Sequence, residues 1–219
     1  MSFNASDYRR AVEDYNCKWR ATDEALYDLC RRFPDHEDQG EVNAKLWIIG
    51  RTYATGIERK IPRDGKQGGS MHKLSQHLHK SAGAVDALIT RLRQVKLPLD
   101  ARKLSTIVDV HGQFIKLIQP VLQLKRQQKQ SPRSFTSKYL HFHCPVVPII
   151  DTYADAALRR LVPWRNSFCF PDLPKDIDGC YAKYASRFGQ LYQQACDSGL
   201  EPTVKYLDSY LLRTLGTTA

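Results

Sequence analysis

Apolar residues recur every three or four positions along most of this chain, with polar residues between them. One stripe covers residues 8–33 and stops before Pro34, and a second covers residues 42–57 and stops before Pro62. This spacing places the apolar side chains on one face of a helix. Proline ends such a stripe because it lacks the backbone N–H and clashes with the preceding turn. The beginning of the chain therefore predicts two helices.

The same helical spacing continues to the end of the chain. Further stripes cover residues 74–95, 104–118, 177–192 and 204–211. Pro120 should end the second of these and Gly199 the third, while Pro202 fits the first turn of the last helix. No segment shows the strict alternation of a half-buried strand. We therefore predict an all-α fold, with residues 146–150 as a buried loop or a short extended piece.

One stretch in the middle of the chain brings together residues that can carry chemistry. Residues 132–151 read Pro-Arg-Ser-Phe-Thr-Ser-Lys-Tyr-Leu-His-Phe-His-Cys-Pro-Val-Val-Pro-Ile-Ile-Asp. Lys138 is predicted near the start of a helix, and Asp151 follows the apolar loop as the N-cap of the next helix. A neutral amine can attack a carbon centre, and a carboxylate can stabilise a cation or activate a nucleophile. Lys138 and Asp151 supply one group of each kind.

The order of these residues resembles the helix-hairpin-helix DNA glycosylases, above all the 8-oxoguanine DNA glycosylase branch. In that family a hairpin lysine precedes an aspartate that follows a Val-Pro-type loop, and the likeness is close over residues 127–162. It implies a two-lobed helical bundle, a single compact unit over residues 1–219 with its cleft near residues 120–165. It also implies an enzyme that flips a damaged or modified base out of DNA and cleaves its N-glycosidic bond, with Lys138 and Asp151 as the candidate catalytic residues. Whether the enzyme also has AP lyase activity, through a Schiff base on Lys138, stays open.

The chain departs from the family pattern at three points. Ser134 and Thr136 stand where the family's hairpin usually has glycines, so hydroxyls rather than backbone N–H groups would face a phosphate. The spacing from Lys138 to Asp151 is several residues shorter than usual. The four-cysteine pattern of the iron–sulfur branch is missing, and the six cysteines include no Cys-x-x-Cys pair. No cofactor and no metal site are therefore predicted.

The distribution of charge favours a polyanionic partner. The net charge is +10, and there is no Asp or Glu from His111 to Ile150. Such a run attracts a phosphate backbone without reading its sequence, and the alternative is a solvated basic helix end. The predicted DNA-binding residues are Lys125, Arg126, Lys129, Arg133, Ser134, Thr136 and Ser137.

Candidates for a base pocket come from the motif and from the segment after it. Residues 163–174 are irregular in pattern and carry aromatic and basic side chains, which can stack on a base but more often belong to a core. The predicted base-pocket residues are His141, Tyr153, Trp164 and Phe168. A lysine amine is protonated at neutral pH, so a nucleophilic Lys138 requires surroundings that disfavour the ammonium. We expect Lys138 to be less exposed than most lysines of the chain.

Other features set the expected location and the competing functions. No apolar run approaches the length of a membrane span, and the first residues lack the apolar core of a signal peptide. We expect a cytoplasmic protein whose partner is DNA, without a membrane or an obligatory protein partner. Two alternatives stay open: a catalytically inactive nucleic-acid-binding protein, and an accessory protein of a phage-defence or mobile-element system. The base itself, an oxidised purine or a hypermodified phage base, depends on pocket shape.

Overall fold

The helical prediction is confirmed over the part of the chain that the structure describes. The computed structural model describes residues 3–62, 69–122, 131–164, 170 and 177–216. These residues form α-helices, two short 3₁₀ turns and loops, and they include no strand. None of the described helices is both long and apolar enough to cross a membrane.

The helices follow one another with short connections. Their bounds are α1 Ala5–Lys18, α2 Arg20–Arg32, α3 Gln39–Thr52, α4 Gly69–Lys80, α5 Ala82–Arg93, α6 Ala101–Ile118, α7 Arg133–His143, α8 Thr152–Leu161, α9 Gly179–Asp197 and α10 Val204–Gly216. The 3₁₀ turns are Ile57–Lys60 and Gln119–Val121. Aspartate or asparagine side chains accept from a backbone N–H in the first turn of five helices.

Two long apolar stripes each contain a break that the sequence pattern does not reveal. The first stripe is divided between α1 and α2 at Trp19, and the third between α4 and α5 at Ser81. Both residues have a non-helical backbone, with φ of −122° and −106°. A break of one residue leaves the three- and four-residue spacing almost unchanged, so the periodicity predicts one helix where the chain turns. Pro202 was predicted in the first turn of the last helix, but it lies just before that helix, whose N-cap is Thr203.

Helix α7 lies at the centre of the molecule. It packs against α2, α3 and α6, and every residue from Phe135 to His143 is buried. A helix surrounded on all sides has no solvated face, so its polar side chains need partners inside the protein. The polar residues of the sequence motif therefore belong to the interior, and only a few of its atoms reach a surface.

Candidate active site

The apolar loop between α7 and α8 is held by side chains from α7 and α9. Residues 146–150 form a loop without strand pairing, as predicted, and four of its backbone groups have side-chain partners. The Val147 carbonyl accepts from His141 Nδ1 at 2.8 Å, that of Pro148 from the Tyr181 hydroxyl at 2.8 Å and that of Ile149 from the Tyr184 hydroxyl at 2.5 Å, while the Ile150 N–H donates to Ser137 Oγ at 3.1 Å. Buried loops need such partners, because an unpaired backbone group costs about 1–3 kcal/mol. The loop therefore delivers Asp151 to a defined position.

Asp151 has two roles at the start of α8. Its Oδ1 accepts from the backbone N–H of Ala154 at 2.8 Å, so it is the N-cap that the sequence predicts. Its Oδ2 faces Lys138, with 3.5 Å between Oδ2 and Nζ. Capping uses one carboxylate oxygen and leaves the other directed at the amine.

Lys138 is buried, as expected for a candidate nucleophile. Only 6% of the residue is exposed, and Lys45 is the other buried lysine in the described chain. The Lys138 amine donates to the backbone carbonyl of Tyr53 at 3.2 Å and lies 5.8 Å from the centre of the Tyr53 ring. The prediction that Lys138 lies near a helix start is wrong: it is the sixth residue of α7, in the second turn. Burial and neighbouring charges, rather than the helix dipole, therefore define its surroundings.

The carbonyl that holds Lys138 belongs to an unusual piece of backbone. Tyr53 ends α3, and Ala54 follows it with φ of +47°, in the left-handed region that alanine rarely adopts. Such a conformation costs of order 1 kcal/mol and persists only where the surroundings enforce it. The turn directs the Tyr53 carbonyl inward, towards the amine.

Lys138 and Asp151 lie in the wall of an open cleft of about 660 Å³. Its lining comes from three parts of the chain: residues 53–60, residues 131–138 and residues 150–155. Basic residues of the lining are Arg59, Lys60 and Arg133, in addition to Lys138. Burial, Arg59 and Arg133 lower the pKa of Lys60, in that order. The cleft therefore combines the Lys138 amine, the carboxylates of Asp151 and Asp155, and a rim with three further basic side chains.

No protein family, curated protein or solved structure matches the chain. The chemistry of the cleft is therefore inferred from its own side chains. An amine 3.5 Å from a carboxylate can attack an electrophilic carbon after transferring a proton, and the carboxylate can stabilise a developing cation. No three His, Cys, Asp or Glu side chains of the described chain are grouped as metal ligands.

The residues predicted to bind DNA divide into three groups. Arg133 and Ser134 line the cleft, although Arg133 also pairs with Asp178, whose Oδ1 is 2.7 Å from Nε. Thr136 and Ser137 are fully buried, so their placement contradicts a phosphate contact: within α7 they face the core. Lys125, Arg126 and Lys129 lie outside the described residues.

The predicted base-pocket residues are also only partly brought together. Tyr153 lines the cleft and is 67% exposed, which leaves its ring available to a ligand. Trp164 is half exposed but packs near the Arg187 guanidinium, 5.1 Å from its ring centre, and does not line the cleft. Phe168 lies outside the described residues.

His141 does not belong to a base pocket. It is fully buried, and both ring nitrogens have partners: Nδ1 donates to the Val147 carbonyl, and Nε2 accepts from the Tyr27 hydroxyl at 2.5 Å. A carbonyl can only accept, which fixes the proton on Nδ1. Burial lowers the pKa of His141 to about 3, with Lys205 adding to the effect. The neutral ring therefore supports the loop of residues 146–150.

A second set of charged side chains lies inside the protein beside Tyr53. Lys205 on α10 places Nζ 3.1 Å from Asp23 Oδ2 and 3.2 Å from Asp208 Oδ2, and both carboxylates are buried. The Tyr53 hydroxyl donates to Asp23 Oδ1. These residues were not predicted, although charged residues within the apolar stripes of α2 and α10 were a usable signal. Arg59 and Lys60 were not predicted as site residues either.

Ser137 is expected to matter through the loop that it holds. Ser137→Ala removes the acceptor of the Ile150 N–H and should lower the free energy of unfolding by about 1–3 kcal/mol. Urea denaturation measures this loss. Thr136→Val is the matched control, because the Thr136 hydroxyl is buried without a hydrogen-bond partner among the described residues. An equal loss in both variants would contradict the role assigned to Ser137.

Proposed function

We propose that this chain is a DNA glycosylase that excises a damaged or modified base. The observation that carries the proposal is the Lys138–Asp151 pair in the wall of an open cleft with a basic rim. Two residues 13 positions apart in sequence are brought within 3.5 Å of each other, at a place that a ligand can reach. A structural ion pair would need neither the cleft nor the additional cations around it.

The proposed reaction starts with a nucleotide flipped from the duplex, which requires a few kcal/mol of unstacking. The Lys138 amine, once neutral, attacks C1′ of the sugar as the bond from C1′ to the base breaks. Asp151 is the nearest carboxylate to the amine, so it can accept the proton that the amine must lose. If the ammonium proton leaves to water instead, Asp151 stays ionised and stabilises the positive charge that develops on the sugar. The base departs with the bonding electron pair and is then protonated.

The resemblance to the helix-hairpin-helix DNA glycosylases supports this reading. The order of lysine, apolar loop and aspartate at a helix start is the same, and the two-lobed glycosylase architecture remains part of the proposal. The short spacing between Lys138 and Asp151 is compatible with the proposed reaction. The loop before Asp151 is hydrogen-bonded to Ser137 on α7, so Asp151 lies beside Lys138. Enzymatic activity on oxidised purines is the default that the family implies, with a hypermodified base as the alternative.

The basic rim is expected to bind the phosphate backbone. The double variant Arg59→Gln/Lys60→Gln should reduce the slope of log affinity against log salt concentration by about 2, because each phosphate contact contributes roughly 0.9. Binding of a fluorescent duplex between low and moderate salt measures this slope. Arg9→Gln/Arg10→Gln, at exposed positions on α1 outside the cleft, is the matched control. Equal slopes in both double variants would remove the rim from the proposed interface.

A panel of duplexes tests the proposed activity directly. Each duplex carries one oxidised, alkylated, deaminated or hypermodified base, and abasic sites are revealed by alkali while covalent adducts are trapped with borohydride. A trapped adduct supports a lysine Schiff base and a lyase step, whereas abasic sites without an adduct support a monofunctional glycosylase. Salt-sensitive binding without any product would replace the proposal with a non-catalytic nucleic-acid-binding protein. Absence of binding at low salt would favour an accessory protein with a protein partner.

A further inference from the structure

Beside the cleft, one ammonium group, on a side chain that is 14% exposed, is shared by two buried carboxylates. Lys205 lies between Asp23 and Asp208, at 3.1 and 3.2 Å, and comes from the same helix as Asp208. Its Nζ is also 5.6 Å from the centre of the Tyr53 ring. Asp208 Oδ1 is buried without a hydrogen-bond partner in the described part of the protein. One ammonium group therefore pairs with two carboxylates, so the three groups together carry one excess negative charge when all are ionised.

Tyr53 connects this group to the candidate active site. Its hydroxyl donates to Asp23, its carbonyl accepts from the Lys138 amine, and both ammonium groups lie within 6 Å of its ring centre. The two ion-paired groups are therefore neighbours across one aromatic side chain. Taken together they contain two amines and three carboxylates, with Asp151 as the third carboxylate.

We propose that Lys205 and Asp208 are positioning residues that control the charge on the Lys138 amine. The cation of Lys205 disfavours a second ammonium nearby, and the carboxylate of Asp208 favours it. The two residues therefore act on the Lys138 amine in opposite directions. The consequence for catalysis rests on the proposed glycosylase function, but the coupling between the charges does not.

The titration of Asp208 supports a direct coupling. Burial raises the pKa of Asp208 above its ordinary value, the Lys205 ammonium opposes the rise, Asp151 adds to it and Lys138 lowers it. An ammonium that favours the charged carboxylate is favoured by that carboxylate to the same extent, because the interaction energy is shared. Asp208 and Lys138 therefore influence each other although they make no direct contact.

The uncharged titratable groups facing this cluster are four phenols and one imidazole. They are the phenols of Tyr15, Tyr27, Tyr53 and Tyr184, whose pKa values burial raises, and the imidazole of His141, whose pKa burial lowers to about 3. The charged groups near Lys138 are the two amines and three carboxylates of the cluster, together with Arg59, Lys60, Arg133 and Asp155 of the cleft, which the variants below leave unchanged. Changing one of them should move the protonation of the others in a direction set by its sign.

Competitive labelling with acetic anhydride tests this coupling without any nucleic acid. The reagent acylates only the neutral amine, and mass spectrometry of the Lys138 peptide across a pH series gives the midpoint at which the amine loses its proton. Asp208→Asn should move this midpoint to lower pH and Lys205→Met to higher pH. Each shift should be on the order of one pH unit, as for a unit charge roughly 10 Å away at an effective dielectric constant of about 20. The double variant Lys205→Met/Asp208→Asn should return near the unmodified midpoint.

Opposite shifts distinguish electrostatic control from simple damage to the fold. Asp208→Asn is the mildest change, because the amide can keep its oxygen towards Lys205 and turn its nitrogen to the Oδ1 position. If Lys205→Met does not fold, Asp208→Asn and the double variant carry the test. Asp197→Asn and Lys18→Met repeat the charge changes at exposed positions and should shift nothing. Shifts in the same direction, or none in folded Asp208→Asn, would overturn the inference, whereas failure of the DNA panel would not affect it.

Discussion

Lys138→Gln is expected to abolish the borohydride-trapped adduct and to lower base excision by on the order of 10³-fold or more, because it removes the proposed nucleophile. The amide nitrogen of glutamine can still donate to the Tyr53 carbonyl, so the local fold should remain. Asp151→Asn should lower excision by about 10²–10⁴-fold, as for loss of a positioned acid–base group. Asparagine caps helices as well as aspartate does, so α8 should keep its start. Single-turnover excision and adduct yield measure both effects.

The comparison of the two variants separates the roles of the residues. Lys183→Gln, at an exposed position on α9, is the matched control for the lost amine and should leave excision unchanged. If Lys138→Gln kept full excision while Asp151→Asn lost it, water rather than the amine would be the nucleophile, activated by Asp151. Full excision by both variants would place the reaction elsewhere in the protein.

Acid is expected to destabilise the protein strongly between about pH 6.5 and 4. Four of the seven histidines are buried: His36, His111, His141 and His143. Burial lowers the pKa of His36 to about 4, of His111 and His141 to about 3, and of His143 well below its ordinary value. The native state therefore holds neutral imidazoles, while the unfolded chain takes up protons below pH 6.5. The contribution of these histidines to the free energy of unfolding is fully present above that pH and is lost as the pH decreases.

The expected loss is large compared with the stability of an ordinary domain. At pH 5 each buried imidazole contributes about 2 kcal/mol of destabilisation, or roughly 8 kcal/mol for four, against a usual total of about 5–15 kcal/mol. Asp208 acts in the opposite direction, because its raised pKa lets the native state bind a proton first, but it is one group against four. Urea denaturation at pH 7, 6 and 5 and constant ionic strength measures the slope.

One histidine offers a variant that isolates its share of this acid sensitivity. His143 is buried among Tyr139 and His36, and neither ring nitrogen has a hydrogen-bond partner in the described structure. His143→Phe keeps a ring of similar shape and should reduce the loss from pH 7 to pH 5 by about 2 kcal/mol. His72→Gln, at a partly exposed position, should leave the slope as it was. A free energy of unfolding that is the same at pH 7 and pH 5 would contradict the burial of all four imidazoles.

The sequence determined the helical fold class and the position of Asp151 at the start of a helix. Apolar side chains at helical spacing need a common buried face, and Asp before Thr152 satisfies the first backbone N–H groups of a helix, so both features are local. The breaks at Trp19 and Ser81 were not predicted, because a single non-helical residue leaves the periodicity intact. Thr136 and Ser137 were predicted to bind DNA because polar side chains usually lie at the surface, but both are buried.

Only the tertiary structure decided what surrounds the pair. Because α7 is buried on all sides, His141 and Ser137 hydrogen-bond to the loop of residues 146–150, which no pattern within the helix reveals. The Tyr53 carbonyl and the Lys205 ammonium come from segments distant in sequence, so their approach to Lys138 depends on how α3, α7 and α10 pack. Sequence periodicity reports which face of a helix is buried. It does not report which helix covers that face, and the charges near Lys138 depend on which helix does so.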